Sequence, residues 1–144
     1  MRVYLAASYS RKEEIRKIAE ELKEMGINIQ ARWLYEPKIP MPQDRDNFLR
    51  ERAEIDADDV LLADVLVRFS DDLSEPMVPA HLATGSRMFE MGLAWADGTK
   101  IVVVGGHQCV FDYLKQIVHL PDVEALKQYL FSLQNSIRQL GASL

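Results

Sequence analysis

The chain has 144 residues, 48% of them apolar and 27% charged, with a formal net charge of −5; this is the length of one domain with enough apolar matter for a core, which excludes a disordered chain. The negative charge, with no basic run longer than a pair, argues against a nucleic-acid polymer or an anionic membrane surface as partner and leaves small molecules open. Apolar runs such as 60–63 and 101–104 are far short of a membrane span, and the N-terminus turns charged too soon for a signal peptide; a cytoplasmic protein is expected.

Val3 to Ala7 is a short apolar run, followed by Ser8-Tyr9-Ser10 and a helical stretch from Arg11 to Met25 that places Ile15, Ile18, Ala19 and Leu22 on one face. Ser10 is the expected N-cap, with Glu13 placed for a capping box, and Gly26 the expected C-cap. A second strand is expected over Ile27 to Leu34. Glu36 to Gln43 carries Pro37, Pro40 and Pro42 and reads as an irregular loop, placed to lie over a site as a lid. A charged helix follows over Asp44 to Asp58, then a near-continuous apolar strand from Val60 to Phe69. Ser70 to Ala83, with Pro76 and Pro79, reads as a long loop before a helix over Gly85 to Ala96. Lys100 to Val104 is a further strand, closed by Gly105-Gly106. A brief strand over Ile117 to Leu120 and a helix over Asp122 to Leu133 complete the pattern; residues 138–144 are expected to fray or to serve an oligomer contact.

Strands that read as continuous Val/Ile/Leu runs and alternate with helices imply a parallel sheet covered on both faces. The predicted fold is α/β: a single-domain, flavodoxin/Rossmann-like three-layer sandwich with a five-stranded, mostly parallel sheet. In that order the ligand lies beyond the carboxyl ends of the strands, where the winding reverses between the first and third strands.

Glu90 is a carboxylate one turn into the predicted helix over Gly85 to Ala96, with Met88, Phe89, Met91, Leu93, Ala94 and Trp95 around it in sequence. It is either an ordinary helix residue or an acid held in apolar company for chemistry. Gly85 and Ser86 open that helix, where free N–H groups and the dipole favour an anion. Ser8, Ser10 and Arg11 follow the first strand and offer, with Ser86, a monophosphate cradle; the alternative makes Ser10 a cap and Arg11 a solvated residue. Asp56, one of a group with Asp58, Asp59 and Asp64, is placed to lean into the same cleft. No G-x-G-x-x-G or P-loop is present, so NAD and ATP are disfavoured. His81, His107 and His119 lack zinc spacing, the acids match no compact metal loop, and the lone Cys109 has no reliable base beside it, so no metal or cofactor is expected.

Taken together, Val3-Tyr4-Leu5-Ala6-Ala7-Ser8, Arg32-Trp33-Leu34, Asp56 followed by Ala63-Asp64-Val65-Leu66-Val67, and Gly85-Ser86-Arg87-Met88-Phe89-Glu90-Met91-Gly92-Leu93-Ala94 resemble the nucleoside 2-deoxyribosyltransferase superfamily, which includes the 2′-deoxynucleoside 5′-phosphate N-hydrolases. By that resemblance Glu90 matches the nucleophile at C1′, Asp56 the acid that assists at the base, and Tyr4 the tyrosine that orients the nucleophile. Ser8 matches a serine on the 5′-phosphate, and the Thr84-Gly85-Ser86 turn falls where the hydrolases complete that site. The hydrolases usually carry glycine at Ala7, and Arg87-Met88-Phe89 is bulkier than the corresponding turn of many members; both narrow the pocket. Trp33 either stacks on the base or belongs to the core. The transferases place an acid at about Thr84, and its absence favours a nucleotide hydrolase over a base-exchanging transferase. A silent nucleotide-binding module and a magnesium-dependent phosphohydrolase are the other readings. The resemblance also implies a homodimer or larger homo-oligomer, with the loop from Gly105 to Tyr113 as the contact.

Overall fold

The computed structural model describes residues 1–37, 44–71 and 85–143. The apolar runs become the sheet: β1 (Arg2–Ala6), β2 (Asn28–Ile29), β3 (Val65–Phe69), β4 (Lys100–Val104) and β5 (Val118–Leu120). The helices are α1 (Lys12–Glu24), α2 (Arg45–Leu62), α3 (Gly85–Ala96) and α4 (Val123–Ala142). All strand pairs are parallel, in the order β2-β1-β3-β4-β5, so the predicted five-stranded flavodoxin-like sandwich is the fold observed. β1 lies between β2 and β3 with Tyr4 opposite Leu66, and β3 pairs β4 with Val67 opposite Val102.

The strands at the centre read as near-continuous apolar runs because both faces are covered. Val3, Tyr4 and Leu5 of β1, Leu66 and Val67 of β3, and Val102 and Val103 of β4 are each completely buried. α1 turns Ile15, Ile18, Ala19 and Leu22 to this core as predicted and ends at Gly26, whose φ of 80° suits the residue after a helix. α1 also meets α4, through Lys127 to Glu21 and through Gln134 donating to the Gly26 carbonyl at 3.0 Å. α2 packs against α3. Among the described residues no helix is long and apolar enough to cross a membrane.

Several boundaries differ from expectation, each for a local reason. The Ser10–Glu13 capping box is not formed: a 3-10 turn over Tyr9–Arg11 precedes α1, Ser10 Oγ lies 3.0 Å from Ser8 Oγ, and Glu13 pairs with Arg16. β2 is two residues long rather than eight. The fully buried Asp59 carboxylate accepts from Gln30 Nε2 (2.9 Å), Arg32 N (2.9 Å) and Arg32 Nε (2.8 Å) and bends the chain into a 3-10 turn over Arg32–Tyr35. Although burial pushes Asp59 towards the neutral acid, these donors hold its pKa below the usual carboxylate value. The run from Val60 does not begin as strand: α2 continues to Leu62, Val60 is buried as part of that helix, and Asp64 accepts from Arg2 N at 2.6 Å just before β3. The last helix runs past Leu133 to Ala142, so residues 138–142 are helical.

The carboxyl edge of the sheet is tied by polar side chains. Arg68 on β3 and Asp112 are both fully buried and pair at 2.7 Å, while Gln108 N donates to the same carboxylate at 2.6 Å. Gly105 has a φ of 101°, and a Cβ there would meet Ser70 Cβ at 3.1 Å, so glycine is required where β3 and β4 end side by side.

Candidate functional site

The site forms at the carboxyl ends of β1 and β3, where the winding of the sheet reverses. A cavity of ≈180 Å³ opens there, lined by Ala7, Trp33, Phe48, Arg52, Asp56 and Glu90, with Tyr9, Glu36, Leu49 and Ser86 completing the wall among the described residues. Each element supplies a part: β1 delivers Ala7, α2 presents Phe48, Arg52 and Asp56 at four-residue spacing, and α3 brings Ser86 and Glu90 on one face.

Glu90 is anchored by a residue 86 positions away. Tyr4, completely buried in the middle of β1, donates from its hydroxyl to Glu90 Oε1 at 2.7 Å. Burial raises the tyrosine pKa well above the ordinary value, and the charges of Glu90 and Asp56 raise it further, so the phenol keeps its proton and remains a donor. The same burial lifts Glu90 to about 7; the Tyr4 hydrogen bond opposes this, the Asp56 charge adds to it, and the Arg87 charge opposes it. Asp56 is also raised to about 7, first by burial, then by the charges of Glu36 and Asp59, with Arg52 and Arg32 opposing. Its Oδ1 is buried without a hydrogen-bond partner among the described residues. Two acids that repel each other's charge and titrate near neutrality lose their protons in separate steps, which suits one as nucleophile and the other as proton donor.

The apolar company of Glu90 is not the one its sequence neighbours suggested. Phe89 is 68% exposed and Trp95 40% exposed, since helical spacing turns them away from the acid. Glu90 is covered by β1 and α2 instead. A larger apolar groove, ≈330 Å³ between Met88, Met91, Gly92, Trp95, Phe111 and Leu114, has no ionisable side chain in its wall among the described residues.

Of the proposed phosphate residues, Ser86 lines the cavity, Gly85 opens α3 as expected, and Ser8 and Ser10 lie with their hydroxyls together beyond β1. The Arg11 guanidinium donates to Glu14 through Nε (2.8 Å) and Nη2 (2.6 Å), and to the Ser70 carbonyl through Nη1 (2.7 Å), which joins α1 to the end of β3. Trp33 is 6% exposed, donates from Nε1 to the Leu5 carbonyl at 2.8 Å and is one of the residues that line the cavity. Thr84, His81 and most of the expected lid lie outside the described residues. His107 stacks on Tyr113 and on His119 and is not among the residues that line the cavity. Among the described residues no group of three His, Cys, Asp or Glu side chains is gathered as a metal site.

Sequence reasoning missed Glu36, Phe48 and Arg52. Arg52 lies over the Phe48 ring, 5.1 Å from its centroid, and pairs with Glu36 at 3.4 Å. The signal was the four-residue series Phe48, Arg52, Asp56, which stacks all three on one helix face.

No protein-family model matches the chain, and no curated protein matches its sequence. Solved structures do. A Clostridium botulinum CMP N-glycosidase, BcmB, superposes with a TM-score of 0.57 at 19% identity, covering 90% of this chain and 98% of that one. The 2-deoxyribosyltransferase of Bacillus psychrosaccharolyticus gives a TM-score of 0.57 at 13% identity over 88% of this chain and 90% of that one. A conserved protein from Enterococcus faecalis gives 0.52 at 14% identity over 89% and 95%. This chain shares their fold. At these identities the likeness reaches the fold and stops short of chemistry.

Proposed function

We propose that this protein is an enzyme of the nucleoside 2-deoxyribosyltransferase superfamily that cleaves the N-glycosidic bond of a 2′-deoxynucleoside 5′-monophosphate. The observation that carries the reading is the Tyr4 hydroxyl on Glu90 Oε1 at 2.7 Å, inside a cavity that also holds Asp56. The fold shared with an N-glycosidase and a deoxyribosyltransferase supports it.

In this mechanism Tyr4 holds one oxygen of Glu90 and leaves the other to attack C1′. The bond from C1′ to the base nitrogen breaks with its electron pair passing to the base, and Asp56 supplies a proton to the leaving group. The oxocarbenium-like transition state collapses to a glycosyl ester on Glu90. Asp56, now ionised, takes a proton from water, whose oxygen bonds to C1′ as the ester bond returns its pair to Glu90. Ser8, Ser10 and Ser86, with the first N–H groups of α3, are assigned to the 5′-phosphate, and Trp33 and Phe48 to the faces of the base.

Incubation with the four deoxynucleoside monophosphates, followed by chromatography of free base, tests the assignment. Base release from a monophosphate is expected, with a loss of at least about 10³-fold in Glu90→Ala, since no other group supplies the covalent step. No turnover of any nucleotide or nucleoside, or full activity in Glu90→Ala, sinks it. A second reading, base exchange on free deoxynucleosides, is favoured by the equal likeness to the Bacillus transferase. Adding a second base to the same incubation separates the two, because only a transferase forms a new nucleoside. The protein is further assigned as a homo-oligomer through the 105–113 loop, on which Val110, Phe111 and Tyr113 are 74%, 62% and 73% exposed. Sedimentation as a monomer at micromolar concentration would overturn that assignment.

A further inference from the structure

Two residues that line the cavity each carry a buried polar atom without a hydrogen-bond partner among the described residues, and both belong to one face of α2. They are Arg52 Nε and Asp56 Oδ1. The residues are four apart, so the side chains lie one above the other, and both line the cavity that contains Glu90. A buried unpaired donor is uncommon enough in folded proteins to ask what completes it.

The remainder of the Arg52 guanidinium is held. Its plane lies over Phe48, Nη1 is 3.4 Å from Glu36 Oε1, whose side chain is 8% exposed, and Nη2 is 3.8 Å from Glu51 Oε1. Phe48 and Glu36 together restrain the orientation of the group, so the unused Nε–H is a donor in a set position rather than a mobile surface charge. Asp56 feels the same cation, which opposes the rise in its pKa.

Resting on the glycosidase reading above, we propose that Arg52 acts on the leaving group: its Nε–H donates to a ring-carbonyl oxygen of the departing base, beside the Asp56 carboxyl, and selects oxo-substituted nucleobases. When the C1′–N bond breaks, the electron pair moves onto the base nitrogen and is delocalised to the conjugated carbonyl oxygen. Arg52 keeps its proton and stabilises that charge where it develops, Asp56 delivers the proton, and Glu90 supplies the pair for the new C1′–O bond. Adenine, which has no ring oxygen, gains nothing from this donor.

The test compares two leaving groups in wild type, Arg52→Lys and Arg52→Gln. One set of substrates is the four deoxynucleoside monophosphates. The other is 4-nitrophenyl 2-deoxyribofuranoside 5-phosphate, whose phenolate departs without assistance. Arg52→Lys keeps a cation beside Glu36 and lacks the Nε–H. Both variants are expected to lose about 10²–10³-fold in kcat on the oxo-base nucleotides and less than about tenfold on the nitrophenyl substrate. Wild type is expected to turn over an oxo-base nucleotide faster than dAMP. Equal losses on both substrate types make Arg52 a scaffold for Glu36 and overturn the inference, as does dAMP being the best natural substrate. Failure of wild type on every substrate, the nitrophenyl glycoside included, removes the glycosidase reading itself and this inference with it.

Discussion

Tyr4→Phe deletes one hydroxyl from a fully buried position in β1 and leaves Glu90 Oε1 without the donor now 2.7 Å away. The phenyl ring keeps the packing of the sheet, so the perturbation is electrostatic. A hydrogen bond to a carboxylate contributes about 1.5–3 kcal/mol, and one pKa unit is about 1.4 kcal/mol. Losing Tyr4 therefore raises Glu90 by about one to two units. Glu90 starts at about 7, so in the variant it titrates near 8 to 9, above Asp56 at about 7. The productive form has Glu90 ionised and Asp56 protonated, and in Tyr4→Phe it becomes the minority form. Maximal kcat/KM should fall about 10- to 100-fold, and the pH profile should widen on its alkaline side by the same one to two units. The assay is base release from a monophosphate at constant ionic strength between pH 5 and 10. A fall in rate with no alkaline movement, or an unchanged rate, refutes the assignment of Tyr4 as the group that keeps Glu90 ionised.

The stability of the fold should follow the same acid. Burial holds Glu90 up to about 7 from 4.5, so the folded chain binds a proton there that the unfolded chain has released, and that contribution to stability is lost as pH rises from below 4.5 through 7. With Tyr4, Asp56 and Arg87 still facing the position, Glu90→Gln should equal wild type in urea denaturation at pH 4 and exceed it by about 1–3 kcal/mol at pH 8; a pH-independent difference refutes this. Asp112→Ala strands the buried Arg68 guanidinium and should cost about 3–5 kcal/mol, with much of it recovered when Arg68→Met is added; additive losses would show that the pair is not the cause. Trp33→Phe leaves the Leu5 carbonyl without its 2.8 Å donor and should lower the urea midpoint by an amount worth about 1–3 kcal/mol, with the slope unchanged. An unmoved midpoint would return Trp33 to the role of a stacking surface alone.

What the sequence makes legible here depends on whether the cause is local. β1, β3 and β4 declare themselves because a strand covered on both faces is apolar at nearly every position, the ion-paired Arg68 being the buried exception, and Gly26 because a left-handed φ after a helix favours glycine. β2 misleads for the opposite reason: its residues have strand propensity, yet the carboxylate that ends it, Asp59, lies 27 positions beyond Arg32 on another helix. The link between Tyr4 and Glu90 crosses 86 positions and was reachable only through resemblance. α2 is the most instructive case. Apart from Val60, its inward positions are Phe48, Arg52, Asp56 and Asp59, three of the four charged, so its hydrophobic periodicity is faint and it reads as a charged helix. Desolvating polar groups costs free energy that an apolar face would not, and a helix retains such a face against the core only where its groups are paired or where a ligand pairs them. Asp59 is paired by Arg32 and Gln30. Asp56 Oδ1 and Arg52 Nε are not, so the faintness of the periodicity in α2 is itself a trace of the site.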